Sequence, residues 1–110
     1  MKHFLTATAL TMALGAPAMA EDITIGFAIA KSGWVEAYDA PAVAAARIRI
    51  DEINAAGGLL GKQLKWIEAD TKSDQAQSAS AGLQMVDDGA DMLIVSCDYG
   101  FGAPAALAAE

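Results

Sequence analysis

Cysteine and histidine are nearly absent from this 110-residue sequence, which contains one of each. The single cysteine, Cys97, cannot form a disulfide within the chain, and because it ends an apolar run we predict a buried, unreactive thiol. The single histidine, His3, lies at the very start, so the rest of the sequence lacks the commonest metal ligand and general base. No nucleophile can be matched with a base. These absences argue against an enzyme, and we expect no metal and no cofactor.

Basic residues are also scarce, with seven Lys and Arg against fourteen Asp and Glu and a formal net charge of −7. A surface this acidic repels phosphate backbones, so we expect no nucleic-acid partner. The acid pairs Asp51-Glu52 and Asp87-Asp88 are explained by solvated helix faces. The charge therefore indicates solubility and requires no further function.

Long hydrophobic runs are missing, because no apolar segment reaches the ~20 residues that a membrane-spanning helix needs. The apolar run at residues 4–14 follows a positive start at Lys2 and precedes Ala18-Met19-Ala20, a small-x-small cleavage pattern. This is the arrangement of a secretory signal peptide. We predict a signal peptide at residues 1–20, cleavage after Ala20 and export of residues 21–110.

β-Strands are predicted for two short apolar runs, at residues 23–30 and 92–95, and for an alternating segment at residues 63–69. Each is followed by a segment with helical spacing, which predicts an α/β fold, a parallel sheet flanked by helices on both faces. In the common topology of such folds, strand one lies between strands two and three, and the winding direction reverses between strands one and three. Ligands bind at that point, beyond the carboxyl ends of the strands.

Helix ends and faces are predicted from capping residues and apolar spacing. Asp39 is expected to cap the first helix, and Asp74 with Gln77 to form a capping box at the second. Pro104 is expected to begin the third helix.

Gly82 lies inside the second helix, where glycine costs about 1 kcal/mol relative to alanine, so close packing is expected there. The buried faces are expected to contain Val43, Ala46, Ile50 and Ile53 in the first helix and Ala79, Leu83 and Val86 in the second.

Two loops are predicted to leave the carboxyl ends of strands one and three, at residues 31–38 and 96–103. Of the six aromatic residues after residue 20, four lie in these loops: Trp34, Tyr38, Tyr99 and Phe101. Aromatic side chains in solvent-facing loops indicate ligand contact, which we predict for the first three. For Phe101, ligand contact and packing over a helix end are equally supported.

Polar groups in the same loops are candidates for contact with the polar end of a solute. Each loop runs into a helix start, whose unpaired N–H groups attract a carboxylate. Ser32 and Gly33 in the first loop, or Tyr99 and Gly100 in the second, would bring donors to it. Asp98 would either pair with an ammonium group of the solute or hydrogen-bond the loop backbone. Both roles of Asp98 stay open.

A dinucleotide-binding fingerprint is imitated by Gly100-x-Gly102-x-x-Ala105, which follows a strand and opens a helix. It follows the third strand rather than the first, and the acidic residue expected ~20 positions later would lie past residue 110. Exported proteins also rarely encounter a nicotinamide cofactor. We therefore do not interpret these glycines as a nucleotide-binding loop.

Three segments resemble the type I periplasmic binding proteins, in the branch of the leucine/isoleucine/valine-binding proteins. They are ITIGFAIAKSG at residues 23–33, DEINAAGGLLGKQL at 51–64, and the stretch from Asp74 onward that contains VDDGADMLIV at 86–95. The resemblance covers nearly all of the sequence after residue 20, and INAAGG-x-x-G-K-x-L is its most specific part.

The resemblance implies a two-lobed periplasmic protein several times this length, which closes around a small-molecule solute and delivers it to the permease subunits of an ABC transporter. Residues 21–110 would be the amino-terminal portion of its first α/β lobe. The uncapped helical pattern of residues 105–110 also leads us to expect a truncated chain. The expected function is capture of an amino-acid-like or other small organic acid solute between the lobes.

In relatives, the loop after strand one supplies Ser-Gly and an aromatic wall, which match Ser32, Gly33 and Tyr38. The loop after strand three supplies small hydroxyl residues that bind the carboxylate of the amino acid. This sequence departs from that pattern with Asp98, Tyr99 and Gly100, which argues against a leucine-like solute. Together, Trp34 and Tyr99 imply a larger or flatter one.

Two other functions stay open on the sequence. The same fold serves as a ligand-sensing ectodomain of signalling proteins, which a downstream transmembrane segment would identify. An exported flavodoxin-like enzyme is the second, and it would need a nucleophile or a cofactor site beyond residue 110. Turnover of a bound solute would support the enzyme.

Overall fold

The computed structural model describes residues 21–110, and the predicted signal peptide and its cleavage site lie outside that range. Three strands alternate with three helices: β1 (Ile23–Ile29), α1 (Glu36–Ala55), β2 (Leu64–Asp70), α2 (Gln75–Asp87), β3 (Met92–Val95) and α3 (Tyr99–Ala108). The predicted order of elements is confirmed. In this range, no helix combines the length and the apolar character needed to cross a membrane.

The three strands form one parallel sheet in the order β2-β1-β3. β1 pairs with β2 from Ile23 opposite Leu64 to Ile29 opposite Asp70. It pairs with β3 over residues 25–28. Because β2 and β3 lie on opposite sides of β1, the chain reverses its winding direction between β1 and β3, as predicted. The α/β fold is confirmed.

Helix α1 covers one face of the sheet, and α2 and α3 cover the other. Side chains of a strand alternate between the two faces, so each face has its own core. The core under α1 consists of Ile25, Phe27, Ile29, Val43, Ile50 and Leu64, with Ala46 and Ile53 packed against it. The core under α2 and α3 consists of Ala28, Ala69, Ala81, Met85 and Ala105. The predicted buried face of α1 is therefore confirmed.

The predicted buried face of α2 is wrong, because Leu83 and Val86 are 52% and 46% exposed and Ala79 is only half-buried. The close approach of α3 is the reason: a Cβ atom on Gly82 would lie 2.8 Å from the carbonyl carbon of Ala105. Only small side chains fit where the helices meet, so Leu83 and Val86 face outward, and Met85 is the one large apolar side chain of α2 in the core. The buried residues of α2 are Ser78, Ala81, Gly82 and Met85.

Two helices begin earlier than predicted. α1 begins at Glu36, so Asp39 lies in its first turn and is not the cap. α3 begins at Tyr99 with Asp98 as its cap, and Pro104 lies inside it. Pro104 lies past the first turn of α3, so the N–H group that it lacks removes one intrahelical hydrogen bond. The helices therefore include residues that the sequence placed in the crevice loops.

The predicted start of α2 is confirmed, and α1 ends at a pair of glycines. Asp74 precedes α2, and its carboxylate accepts a hydrogen bond from the N–H of Gln77 at 2.8 Å. Gly57 and Gly58 follow α1 with φ angles of 106° and 85°. These left-handed conformations are ones that glycine adopts without a steric penalty, so the helix ends there.

Candidate functional site

The segments after β1 and β3 lie side by side at the carboxyl edge of the sheet. The ring of Trp34, after β1, makes an edge contact with the ring of Phe101, after β3, with their centroids 5.7 Å apart. Tyr38 makes a second edge contact with Trp34, at 6.3 Å. The two segments therefore form one continuous surface. Phe101 packs against Trp34, and whether it also contacts a solute stays open.

Three aromatic side chains on this edge are largely exposed: Trp34 at 62%, Tyr38 at 63% and Tyr99 at 86%. Tyr38 lies in the first turn of α1, and Tyr99 is the first residue of α3. Tyr99 also lines an open hollow of about 450 Å³ between the end of β3 and α3. A cluster of exposed aromatic rings is a feature of binding surfaces rather than of ordinary solvated ones. This edge is the candidate functional site.

The carboxylate of Asp39 joins the two segments beneath this surface. Asp39 is only 2% exposed, and its Oδ2 atom accepts a hydrogen bond from the N–H of Ala30 at 2.8 Å. Its Oδ1 atom accepts bonds from the hydroxyl of Ser96 at 3.1 Å and from the N–H of Cys97 at 3.2 Å. Because these donors follow β1 and β3, one side chain of α1 sets the spacing between the two strand ends.

The role of Asp39 was missed because an acid near a helix start was interpreted as a cap. The spacing of the buried residues of α1 indicates that Asp39 faces the sheet. Counting back from the confirmed buried residues Val43 and Ile50 places Asp39 one turn before Val43, on the face that meets the sheet. An acid on a buried helix face must find donors there, since a buried carboxylate without partners is strongly disfavoured.

Asp70, the last residue of β2, hydrogen-bonds the segment that follows β1. Its Oδ1 atom accepts bonds from the N–H groups of Lys31 at 2.9 Å and Lys72 at 2.8 Å. Its Oδ2 atom accepts a bond from the hydroxyl of Ser32 at 2.7 Å. Desolvation raises the pKa of this carboxyl, but the Ser32 hydroxyl and the two N–H groups outweigh it, with a smaller contribution from the Lys72 charge, so the pKa of Asp70 lies below its ordinary value.

The depressed pKa of Asp70 predicts a loss of stability in acid. The ionised carboxylate stabilises the folded protein above the ordinary aspartate pKa of about 3.9, and this contribution disappears as the pH falls through the lower folded-state value. We expect the difference in the free energy of unfolding between the wild type and Asp70→Asn to shrink as the pH falls from about 6 to about 3. Urea denaturation at a series of pH values measures it, with the exposed Asp51→Asn as control. A constant difference would contradict the assignment.

Several of the polar groups predicted to contact a solute already have partners in the protein. The hydroxyl of Ser32 donates to Asp70, and the N–H of Gly100 donates to Oδ1 of Asp98 at 2.8 Å. Of the two roles considered for Asp98, hydrogen bonding to the backbone is the one that the structure shows. In contrast, within residues 21–110 the N–H groups of Gly33 and Trp34 have no acceptor. Solute binding by all of these residues stays a prediction.

The predicted burial of Cys97 is wrong, because its thiol is exposed. β3 ends at Val95, so the chain has already left the sheet when it reaches Cys97. Partial desolvation, together with the neighbouring carboxylate of Asp39, raises the pKa of the Cys97 thiol above its ordinary value. The thiol is therefore protonated at neutral pH and is a slow nucleophile despite its exposure.

The glycines of the apparent dinucleotide fingerprint, Gly100 and Gly102, lie inside α3 and not in a loop before it. Gly102 is buried, and a Cβ atom there would collide with the carbonyl oxygen of Ser96 and lie 3.2 Å from the side chain of Val95. Gly102 is explained by the packing of α3 against the end of β3. Across residues 21–110, no group of His, Cys, Asp and Glu side chains is arranged to bind a metal ion.

Comparison with known proteins gives a consistent set of similarities. The family described as periplasmic binding protein matches residues 22–110. The Leu/Ile/Val-binding protein BraC3 of Rhizobium johnstonii is 34% identical over 100 residues, covering 91% of this chain and 27% of that protein. The leucine-specific-binding protein of Salmonella typhimurium is 33% identical over 85 residues, covering 77% of this chain and 23% of that protein.

A solved structure is similar as well. The branched-chain amino acid transporter substrate binding protein LivJ from Streptococcus pneumoniae, in complex with isoleucine, matches with a TM-score of 0.76 and 35% sequence identity. The match covers 80% of this chain and 26% of that one. The chain thus spans about a quarter of the length of the relatives it matches.

Proposed function

The chain belongs to the periplasmic binding protein family, in the branch of the Leu/Ile/Val-binding proteins, and on that premise we propose that it is part of the substrate-binding component of an ABC transporter. In this function, the protein is exported to the periplasm after cleavage behind Ala20. It binds an amino-acid-like or other small organic acid solute between two lobes, without turnover, and delivers it to the permease. Residues 21–110 supply one wall of the cleft.

A single observation carries this proposal: the segments after β1 and β3 form one surface at the point where the winding of the sheet reverses. Trp34 contacts Phe101 across that point, and Asp39 bonds to both strand ends beneath it. Ligands of open α/β sheets bind in this position. A second lobe closing over the exposed rings would exclude water from the solute and from Trp34.

The chemistry of the surface indicates how a solute would be oriented. The N–H groups of Gly33 and Trp34, which have no acceptor among residues 21–110, lie just before α1, where the helix dipole favours a negative group, so they would bind a carboxylate. The exposed rings of Trp34, Tyr38 and Tyr99 would contact the apolar body. This aromatic surface favours a solute that is larger or flatter than leucine.

Replacing Tyr38 or Tyr99 with alanine is expected to weaken solute binding by about tenfold, the effect of losing about 1.4 kcal/mol of ring contact. The measurement is calorimetric titration of the full-length protein with isoleucine and with aromatic amino acids. Leu60→Ala is the control, because Leu60 is 88% exposed but precedes β2, at the other edge of the sheet. Unchanged affinity in both tyrosine variants would refute the assigned surface.

Native mass spectrometry of the full-length protein, purified from its own periplasm, tests the function without a choice of solute. We expect a mass above that of the mature polypeptide, which falls by the mass of a small organic acid on mild activation. A protein that carries no small molecule and binds no amino acid or organic acid in titration would end the proposal.

A further inference from the structure

We propose that the turn after β2, residues 71–74, positions the solute-binding segment at residues 31–35, and that it acts through the hydroxyl of Ser73. The proposal rests on the proposed function, because it assigns to Ser73 the presentation of Gly33 and Trp34 to a solute. Ser73 is a positioning residue in this role and does not touch the solute itself.

The hydroxyl of Ser73 makes two hydrogen bonds to the backbone of the segment. It donates to the carbonyl oxygen of Ser32 at 2.8 Å and accepts from the N–H of Val35 at 3.1 Å. These two partners lie on either side of Gly33 and Trp34 in the chain. One hydroxyl, which can donate and accept at once, therefore fixes both ends of the stretch whose N–H groups are free.

The turn has an uncommon backbone conformation at the residue that delivers this hydroxyl. Lys72 and Ser73 have φ angles of 55° and 54°, a left-handed region that is disfavoured for residues with a Cβ atom. Bonds on both sides maintain it: Asp70 accepts from the N–H of Lys72 at 2.8 Å, and Asp74 donates to the carbonyl of Thr71 at 3.0 Å. Strain maintained by surrounding contacts is characteristic of functional sites.

The segment and the turn also fit together closely. Gly33 has a φ angle of 82°, and a Cβ atom there would lie 2.5 Å from Oγ and 2.8 Å from Cβ of Ser73. It would also lie 3.2 Å from the carbonyl oxygen of Lys72. Glycine is therefore required at residue 33 by the turn. The Ser-Gly pair at residues 32–33, which the family resemblance assigned to solute contact, is explained by the turn beneath it.

A spectroscopic test separates positioning from a general role in stability. The sequence has two tryptophans, so Trp66→Phe leaves Trp34, within the positioned segment, as the only one. In that background we expect Ser73→Ala to raise the acrylamide quenching constant of Trp34 about twofold, because a loop without its bonds opens locally. Its thermal midpoint should lie a few degrees below that of Ser80→Ala, because the N–H of Val35 loses its acceptor, and quenching is compared below both midpoints, where each variant is folded.

Two controls match this variant. Ser80→Ala removes a hydroxyl that bonds only within α2, to the carbonyl oxygen of Ala76 at 3.2 Å. Lys72→Gly accepts the left-handed φ angle and keeps the Ser73 hydroxyl, so Trp34 quenching should stay at the value of the Trp66→Phe parent. Equal quenching in Ser73→Ala and Ser80→Ala would overturn the proposal.

Amide exchange gives a second readout that needs no variant. In the unsubstituted protein we expect the N–H of Val35, bonded to Ser73, to exchange at least tenfold more slowly than the free N–H of Trp34, since a hydrogen-bonded amide exchanges only when its bond opens. Equal rates for the two amides would contradict the proposal. This comparison of the two amides can be made even if Ser73→Ala fails to fold.

Titration with isoleucine, the molecule bound by the Streptococcus pneumoniae relative, and with aromatic amino acids distinguishes this proposal from the proposed function. We expect Ser73→Ala in the full-length protein to weaken binding about tenfold, because the bonds that order the segment are lost. If neither isoleucine nor any other amino or organic acid binds the unsubstituted protein, the proposed function fails, while the quenching and exchange results still decide whether Ser73 orders the segment. Wild-type affinity in Ser73→Ala would overturn the positioning role alone.

Discussion

Asp39→Ala is expected to lower the free energy of unfolding by about 3 kcal/mol or more, because a buried donor left without an acceptor costs about 1–3 kcal/mol. The substitution removes the acceptor of the N–H of Ala30, the hydroxyl of Ser96 and the N–H of Cys97. Small domains have a total stability of about 5–15 kcal/mol, so the loss is a large part of it. Urea denaturation followed by circular dichroism measures the change.

The matched control is Asp51→Ala, which removes an exposed acid from the same helix and should change stability by less than about 0.5 kcal/mol. Asp39→Asn keeps one acceptor oxygen, so its loss should be intermediate. Because Asp39 contributes to the raised pKa of the Cys97 thiol, that pKa should fall in Asp39→Asn and thiol-specific reagents should react faster. Equal stability of Asp39→Ala and Asp51→Ala would show that the buried carboxylate does not join the strand ends.

Gly82→Ala is the second substitution for which we expect a large effect, a destabilisation of about 2 kcal/mol or more. A Cβ atom at this position would collide with the carbonyl oxygen of Ala105 and lie 2.9 Å from its Cα atom. These are backbone atoms of α3, so relief requires the two helices to move apart. The gain of about 1 kcal/mol from the higher helix propensity of alanine is too small to compensate.

Gly100→Ala is the control for this prediction, since it makes the same change within a helix. A Cβ atom on Gly100 would meet only side chains, Asp98 at 3.1 Å and Gln75 at 3.4 Å, and both can adjust. Thermal and urea denaturation should therefore show a clear loss in Gly82→Ala and little change in Gly100→Ala. If Gly82→Ala is as stable as the wild type, the two helices do not pack at this distance.

The sheet could be predicted from the sequence because each strand has a local signal. Alternation in residues 64–69 and the apolar runs around Phe27 and Ile94 are properties of a few neighbouring residues. Connection rules then leave few strand orders, and the common one among such folds is the order observed. That order brings Trp34 and Phe101 together, so the contact between the segments after β1 and β3 was predictable.

The packing of α2 could not be predicted, because it depends on another helix. Leu83 and Val86 have the spacing of a buried face, and only the presence of α3 against Gly82 reverses it. The roles of Asp39 and Ser73 depend in the same way on donors and acceptors that are distant in the chain. The start of α1 was mispredicted because Val35, the residue before it, gives no side-chain cap, whereas Asp39 is an acid near the start of the helical pattern.

The buried position of Asp39 has a practical consequence for protein engineering. The carboxylate that joins the two strand ends points into the protein, whereas the rings of Trp34, Tyr38 and Tyr99 point outward. In the proposed function, scaffold and selectivity are thus encoded by separate residues. A library randomised at the three aromatic positions alone would explore new solutes for a biosensor while leaving the architecture that displays them intact.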